Sequence, residues 1–298
     1  MKKFRIGYFA DGPWSHKAFE KIQSRNDCYE IVFIVPRIVT DDKVLESYAK
    51  EHDIPLLKGH NINTPEFIQL SSSFKCDLFV SMSFNQIFRK STIEIPKLGT
   101  INCHAGMLPF YRGRNVLNWA IINGEKEIGV TVHYIDEGID TGDIILQNKF
   151  PIMPEDDYGS VLEKAYIECA NTLMQSLELF YNESVESIPQ NEISAHGFYC
   201  GGRIEGDEFI DWNQSSLDIF NLIRGLNGPN LSAKTTYLGE HVSIYKCKFN
   251  NDWPNYKGIP GQVLIANSEG LLVKTSDNVI HITSYKSKTK ISSSARFK

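Results

Sequence analysis

The sequence predicts an α/β protein in which a domain with a mainly parallel sheet precedes a small β-barrel. Two patterns in the first half indicate the parallel sheet. Short apolar runs alternate with segments of helical spacing, and those runs are apolar on both faces, as in strands covered on both sides. A third pattern indicates the barrel, because closely spaced short strands with Gly and Asn turns fill the carboxyl-terminal third.

The first half begins with a strand, a helix and a second strand. Phe4 to Phe9 and the β-branched run Ile31 to Val35 are the predicted strands, and Trp14 to Arg25 has the spacing of a helix. Further predicted elements are helices at Val44 to His52 and Pro65 to Ser72, and strands at Leu78 to Met82 and Gly99 to His104. The last strand ends at a loop with glycines and a proline, and ligands bind at such carboxyl ends of open α/β sheets.

The second half contains the predicted domain boundary. The amphipathic segment Val161 to Tyr181 is a predicted helix, and residues 182–206 hold few apolar runs and are expected to form a linker. We therefore expect one domain over residues 1–200 and another over residues 207–298. The second domain is predicted to contain a helix at Ser216 to Leu226 and strands at 242–247, 262–266, 271–275 and 279–283. The Lys- and Ser-rich tail from Lys286 is expected to fray.

Composition excludes several classes of protein. The 298 residues carry 31 basic and 36 acidic side chains, a net charge of −5, which argues against a wide nucleic-acid-binding surface. No apolar span approaches membrane length, and no signal-peptide apolar region opens the chain. The six cysteines form no C-x-x-C pair, so we expect reduced thiols, a cytoplasmic protein and no metal site.

Two polar residues at the end of a predicted strand are candidates for chemistry. Asn102 and His104 are two positions apart, so their side chains leave the strand on one face while Cys103 points to the other. An amide beside an imidazole can stabilise a carbonyl oxygen that gains negative charge and can move a proton near neutral pH. An N-x-H found in isolation is more typical of strand-end polar residues that satisfy turn amides than of a catalytic pair.

An acidic, Gly-punctuated loop follows a later strand. It runs from Asp136 to Asp143, and Asp140 in it could orient His104 and raise its basicity. A calcium loop is the alternative, but Gln147 stands where an EF-hand has its bidentate Glu. His133, inside the preceding strand, is expected to be a core or strand-face histidine.

These segments together resemble the signature of the folate-dependent formyltransferases. The family pattern is N-x-H, an L-L-P-x-x-R-G loop and a later D-x-G-D, and it matches Asn102 to Gly113 and Asp140 to Asp143, with Met107 where Leu is usual. Residues Gly206 to Trp212 resemble the junction that introduces an OB-like domain in some members. The resemblance implies a Rossmann-like formyltransferase domain over residues 1–200, followed by an OB-like barrel.

The resemblance also implies the roles of individual residues. Asn102, His104 and Asp140 would form the catalytic trio, and N10-formyltetrahydrofolate would donate the formyl group. The residues implied to bind this folate are Met82, Phe84, Ile87, Leu108, Asp136, Gly138 and Asp140. A dinucleotide cofactor is not expected, because the loop after the first strand lacks G-x-G-x-x-G.

The acceptor substrate is predicted from a shorter stretch. Tyr111 to Trp119 resembles the R-G-R-x-x-L-N-W of the domain that formylates a UDP-linked amino-arabinose, so Arg112, Arg114 and Trp119 are expected to bind the acceptor. The resulting prediction is N-formylation of a UDP- or dTDP-linked 4-amino-4,6-dideoxy sugar for bacterial surface glycans. Methionyl-tRNA formyltransferase is the alternative, disfavoured by the net charge, and an inactive folate- or nucleotide-sugar-binding module is a second. Pairing of two copies into a homodimer is left open.

Overall fold

The computed structural model describes residues 3–249, 253–254 and 257–298. The chain forms two compact units that alternate along the sequence. The amino-terminal unit contains the residues up to Gly113, Ile128–Phe150 and Glu163–Tyr199, and the carboxyl-terminal unit contains Arg114–Glu127, Pro151–Leu162 and Cys200–Lys298. The bounds predicted for two functional domains stay a prediction.

The first two hundred residues form a six-stranded sheet with helices in its connections. The elements in chain order are β1 Phe4–Ala10, α1 Pro13–Ser24, β2 Tyr29–Val35, α2 Lys43–Glu51, α3 Pro65–Ser73, β3 Leu78–Met82, α4 Lys90–Ile93, β4 Thr100–His104, β5 Arg112–Gly113, α5 Val116–Ile122, β6 Glu127–Tyr134, β7 Ile144–Pro151, α6 Tyr158–Tyr181, α7 Gln190–Ile193 and β8 Tyr199–Cys200. Strand order in the sheet is β2-β1-β3-β4-β6-β7; β1 is parallel to β2 and β3, β3 is parallel to β4, and β6 is antiparallel to β4. The predicted mainly parallel sheet is confirmed.

The last hundred residues supply a five-stranded antiparallel sheet and one capped helix. The elements are α8 Ser216–Gly225, β9 Ala233–Tyr237, β10 Glu240–Phe249, β11 Val263–Asn267, β12 Gly270–Lys274 and β13 Val279–Lys286. The order of the strands in the sheet is β11-β12-β13-β10-β9. The Ser215 hydroxyl accepts a hydrogen bond from the Asp218 N–H and begins α8, whose Ile219 and Ile223 are buried with Trp212 in the core of this unit.

The end of the chain is ordered, and the expectation that it frays is wrong. The N–H of Thr236 donates to the carbonyl of Lys298, and the N–H of Lys298 donates back to Thr236. On the other edge of the sheet, the Val263 N–H donates to the carbonyl of Ala295. The tail thus joins both edge strands and buries Phe297, which the Lys- and Ser-rich composition does not reveal.

Across the described ranges, none of the helices has the length and apolar character needed to cross a membrane.

Candidate active site

Two neighbouring strands present the polar residues of the site. In the antiparallel pairing of β4 with β6, Asn102 lies opposite His133 and His104 lies opposite Thr131, so all four side chains leave the sheet on one face. Cys103 points to the other face, where its thiol donates to the carbonyl of Cys169 on α6. The spacing of Asn102 and His104 therefore brings both residues to one side, as the sequence predicts.

His104 is buried, with a relative exposure of 8%, and each of its ring nitrogens lies beside an oxygen atom. Nε2 lies 2.7 Å from the carbonyl oxygen of Tyr111, to which it donates, and Nδ1 lies 3.7 Å from Oδ2 of Asp140. Burial lowers the pKa of His104, against the opposing effects of the Asp140 carboxylate and the Tyr111 carbonyl. The imidazole is therefore neutral at pH 7, and Nδ1 is the nitrogen that can accept a proton.

Asp140 lies between two imidazoles. Its Oδ2 accepts a 2.9 Å hydrogen bond from the N–H of Gly113, and its Oδ1 lies 3.6 Å from Nε2 of His133. Burial acts to raise the pKa of Asp140, but His104, His133 and the Gly113 N–H outweigh it and hold that pKa below its usual range. Asp140 is thus a carboxylate whose negative charge is available to stabilise a protonated His104.

His133 belongs to the site, although the sequence predicts only a core or strand-face histidine. Its Nδ1 donates to the carbonyl of Tyr134 at 2.7 Å, and its Nε2 is 3.3 Å from the amide nitrogen of Asn102. Nε2 of His133 therefore lies between the Asn102 amide and the Asp140 carboxylate, 3.6 Å from Oδ1 of Asp140, and contacts both. The register in which β4 pairs with β6 places His133 beside Asn102. The sequence of either strand alone does not reveal that register.

Gln190 is a second residue that the sequence does not identify. It is buried, and its amide donates to the carbonyls of Asp140 and Gly142 at 2.9 and 2.8 Å. Its Oε1 accepts from Nε and Nη2 of Arg112 at 3.1 and 2.6 Å. Gln190 therefore holds the Asp140 loop in place through its two amide donors. The same side chain accepts hydrogen bonds from two guanidinium N–H groups of Arg112.

The residues predicted to bind folate lie in different environments. Met82 and Leu108 are buried, whereas Ile87 is 64% exposed in the loop after β3, and Phe84 packs beside Phe9. In the later loop, Oδ1 of Asp136 accepts from the Gly138 N–H and the Thr141 hydroxyl at 3.0 and 2.6 Å. Asp136 and Gly138 therefore shape the turn that presents Asp140, and their roles toward folate stay a prediction.

Arg114 and Trp119, which are predicted to bind the acceptor, belong to the carboxyl-terminal unit. The indole Nε1 of Trp119 donates to the carbonyl of Gly201 at 2.9 Å, and the backbone N–H of Arg114 donates to the carbonyl of Cys200 at 3.2 Å. Their part in acceptor binding stays a prediction.

The cluster of His104, Asp140 and Asn102 combines three chemical functions. The neutral His104 can accept a proton, Asp140 can stabilise the imidazolium that results, and Asn102 offers an amide N–H to a developing oxyanion. Within the described ranges no three His, Cys, Asp or Glu side chains are grouped in a way that could hold a metal ion. The arrangement is suited to acyl transfer to an amine.

Comparison with known proteins agrees with this chemistry. A family model described as formyl transferase matches residues 20–177, and one described as formyl transferase, C-terminal domain, matches residues 204–297. The methionyl-tRNA formyltransferase of Alkaliphilus oremlandii is 34% identical over 234 residues, which cover 78% of this chain and 74% of that protein. The corresponding enzyme of Desulforamulus reducens is 35% identical over 237 residues, with coverage of 78% and 73%.

A solved structure extends the similarity to the whole fold. The sugar 3N-formyl transferase WlaRD, crystallised with dTDP and 5-N-formyl-THF, matches with a TM-score of 0.71 over 97% of this chain and 100% of that chain. Its sequence identity is 22%, so this match supports the fold alone. The predicted α/β domain followed by a small barrel is confirmed.

The predicted acceptor, a nucleotide-linked amino sugar, is wrong. Relatives at 34% and 35% identity over most of the chain are methionyl-tRNA formyltransferases, and they outweigh the short stretch Tyr111 to Trp119 on which the prediction depended. A net charge summed over the whole chain does not describe the local surface that meets a substrate, so it does not exclude transfer RNA as an acceptor. Together, the two matching family models and these relatives show that the chain belongs to the formyl transferase family.

Proposed function

We propose that this protein transfers the formyl group of N10-formyltetrahydrofolate to the α-amine of methionyl-tRNA. The observation that carries the proposal is the identity of 34% to 35% with methionyl-tRNA formyltransferases, over three quarters of this chain and nearly as much of theirs. The cluster of Asn102, His104 and Asp140 provides the chemistry that such a transfer requires.

The reaction joins a neutral amine to an amide-like carbonyl carbon. The amine nitrogen attacks the formyl carbon, its proton must leave, and the folate nitrogen must regain a proton when the old C–N bond breaks. Nδ1 of His104 accepts the proton from the amine, and Asp140, 3.7 Å away, stabilises the imidazolium until the proton is passed to the leaving nitrogen. Asn102 donates to the oxygen that carries negative charge, a contact typically worth about 3 kcal/mol.

Folate binding is supported by apolar side chains that are exposed in the two loops predicted to contact it. Ile87 in the loop after β3 is 64% exposed, and Ile139 beside Asp140 is 55% exposed. An apolar side chain left in solvent beside a polar cluster suits a planar ring that needs both apolar cover and a few hydrogen bonds. Backbone groups of the Asp136 to Thr141 turn would supply those bonds.

The test is an acceptor assay with the purified protein and N10-formyltetrahydrofolate. Methionyl-tRNA, uncharged tRNA and free methionine are offered separately, and acid-stable formylmethionine and released tetrahydrofolate are both measured. We expect formylmethionine from methionyl-tRNA alone, with one tetrahydrofolate released per formyl group transferred. Folate turnover without formylation of methionyl-tRNA would overturn the proposed acceptor, and failure to release tetrahydrofolate with any acceptor would overturn the proposed donor.

A further inference from the structure

The backbone at Tyr111 has a conformation that its surroundings must hold in place. Its φ angle is 55°, in the left-handed region that residues with a side chain rarely adopt. Residues in that region persist only where neighbouring groups fix them, and they are frequent at functional sites. The Tyr111 carbonyl accepts the 2.7 Å hydrogen bond from Nε2 of His104, so the groups that fix Tyr111 also fix the imidazole.

Residues 196–199 pack against Tyr111, and we call them the clamp. They lie in the segment that the sequence predicts as a linker. The ring of Phe198 meets the Tyr111 ring edge to face, with 4.9 Å between the ring centroids, and lies 5.8 Å from the ring centroid of Phe110. Phe198 is 41% exposed and Tyr111 is 3% exposed, so Phe198 covers Tyr111 from the solvent side.

One peptide group connects the clamp to His104. The carbonyl of Tyr111 and the N–H of Arg112 belong to the same planar unit, and they point in opposite directions. The N–H donates to the Phe198 carbonyl at 3.1 Å, while the carbonyl accepts from Nε2 of His104. A hydrogen bond at one end of a peptide group polarises the group and strengthens the bond at the other end. Movement of the Phe198 backbone would therefore turn or weaken the acceptor of His104.

The clamp lies directly against the loop that carries this peptide group. A Cβ added at Gly197 would be 2.5 Å from the Pro109 carbonyl oxygen and 3.0 Å from Cζ of Arg112, so no side chain fits between them. The Arg112 guanidinium is also 5.5 Å from the centroid of the Tyr199 ring. Three consecutive clamp residues thus contact the loop on which the orientation of His104 depends.

We infer that the clamp is a positioning element that fixes the tautomer of His104. Phe198 orients the peptide group that follows Tyr111, and the carbonyl of that group keeps the ring proton of His104 on Nε2. Without this bond, the Asp140 carboxylate, 3.7 Å from Nδ1, draws the proton to Nδ1, and that nitrogen can then no longer accept one. The inference rests on the proposed function, in which Nδ1 takes the proton of the amine.

Nuclear magnetic resonance of the full chain, with ¹⁵N-labelled histidine and no substrate, measures the tautomer directly. The two ring nitrogens have widely separated shifts when one carries the proton, and His104→Asn identifies the His104 signals. We expect a protonated Nε2 in wild type, and shifts that move toward the Nδ1–H form in Phe198→Ala. Phe198→Tyr, which keeps the ring, should restore the wild-type shifts. Tyr285→Ala is the matched control, because it removes a ring that is 36% exposed in the carboxyl-terminal sheet, and should also keep them.

Gly197→Ala tests the clamp by a second route, because the added methyl group collides with the Pro109 carbonyl and displaces the clamp backbone. It should change the His104 shifts in the same direction, and it decides the question if Phe198→Ala does not fold. A protonated Nδ1 in wild type would overturn the inference. Wild-type His104 shifts in either folded variant would overturn it as well.

Formylation kinetics separate this inference from the proposed function. We expect kcat for methionyl-tRNA to fall about tenfold or more in Phe198→Ala and Gly197→Ala, while the KM of each substrate stays within a few fold of wild type. The expected shift changes, without formylation of methionyl-tRNA by wild type, would support the clamp and refute the function. Formylation by wild type with an unchanged kcat in Phe198→Ala would support the function and make Phe198 a packing residue, which refutes the inference.

Discussion

Nδ1 of His104 lies 3.7 Å from Oδ2 of Asp140, while Nε2 of the same ring is held 2.7 Å from the Tyr111 carbonyl. This relationship fixes the orientation of the imidazole and assigns its two nitrogens different tasks. Nε2 carries the proton that the Tyr111 carbonyl accepts, and Nδ1 is left to take a proton beside a carboxylate.

Replacing Asp140 with Asn should slow formyl transfer and change its pH dependence. The amide keeps the shape of the side chain but cannot stabilise imidazolium, so we expect kcat/KM to fall about 100-fold or more. The Asp140 carboxylate raises the pKa of His104, so its loss should move the acidic limb of the kcat/KM profile to lower pH. A full profile for both proteins is the measurement, and an unchanged limb together with an unchanged rate would make Asp140 a structural residue.

The stability of the fold should decrease on mild acidification because of His104. Burial lowers its pKa in the fold, so below about 6.5 the unfolded chain binds a proton that the native protein does not. The free energy of unfolding should therefore fall as the pH drops from about 6.5 through the lowered native pKa. Urea unfolding of wild type and His104→Asn at several pH values measures this contribution. In His104→Asn the free energy of unfolding should fall less steeply as the pH decreases. Parallel curves for the two proteins would contradict a lowered pKa of His104.

Gly106 should be intolerant of even one added methyl group. A Cβ there would lie 2.5 Å from Nε2 of His104 and 2.5 Å from the Tyr111 carbonyl oxygen, so it would separate the two bonded groups. We expect Gly106→Ala to lose about tenfold or more in kcat and about 1–3 kcal/mol of stability. Gly201→Ala is the matched control, since nothing lies within 4 Å of its added Cβ. Similar activity in the two variants would show that His104 does not need its bond to Tyr111.

Variants of Gln190 separate its two contacts. Gln190→Glu keeps an oxygen that accepts from Arg112 but loses both donors to the Asp140 loop. Gln190→Met loses the acceptor oxygen as well as both donors. If the donors position Asp140, kcat should fall by about the same factor in both variants, while the KM for N10-formyltetrahydrofolate stays within a few fold of wild type. Both variants should also lose about 1–3 kcal/mol of stability. Wild-type kcat in Gln190→Glu, with a loss confined to Gln190→Met, would instead assign the effect to Arg112. Steady-state kinetics and urea unfolding supply both readouts.

The parts of the site that follow from local pattern could be predicted, and those that follow from pairing between distant segments could not. The shared face of Asn102 and His104 needs only the two-residue period of a strand. His133 joins them through the antiparallel register of β4 and β6, and Gln190 reaches the Asp140 loop from 50 positions away in the chain. Nothing local distinguishes these two residues from ordinary polar side chains.

The same limit applies to the fold and to the acceptor. Alternating apolar runs predict the parallel sheet, because each strand carries that signal within a few residues. The order of the tail at Phe297 depends on edge strands more than thirty positions earlier in the chain, so its Lys- and Ser-rich composition predicts the opposite. A short motif and a charge sum predict a sugar acceptor, and similarity to methionyl-tRNA formyltransferases over 78% of the chain corrects that prediction.

The single-turnover rate of formylmethionyl-tRNA formation in His104→Ala and Asn102→Ala tests the central claim most directly. With N10-formyltetrahydrofolate and enzyme in excess over methionyl-tRNA, this rate reports the transfer step itself. We predict that each variant is slower by about 100-fold or more, while His52→Ala, at an exposed histidine, stays within about twofold of wild type. Transfer at the wild-type rate in His104→Ala, with the variant folded, would contradict the role of the buried imidazole and of the cluster around it.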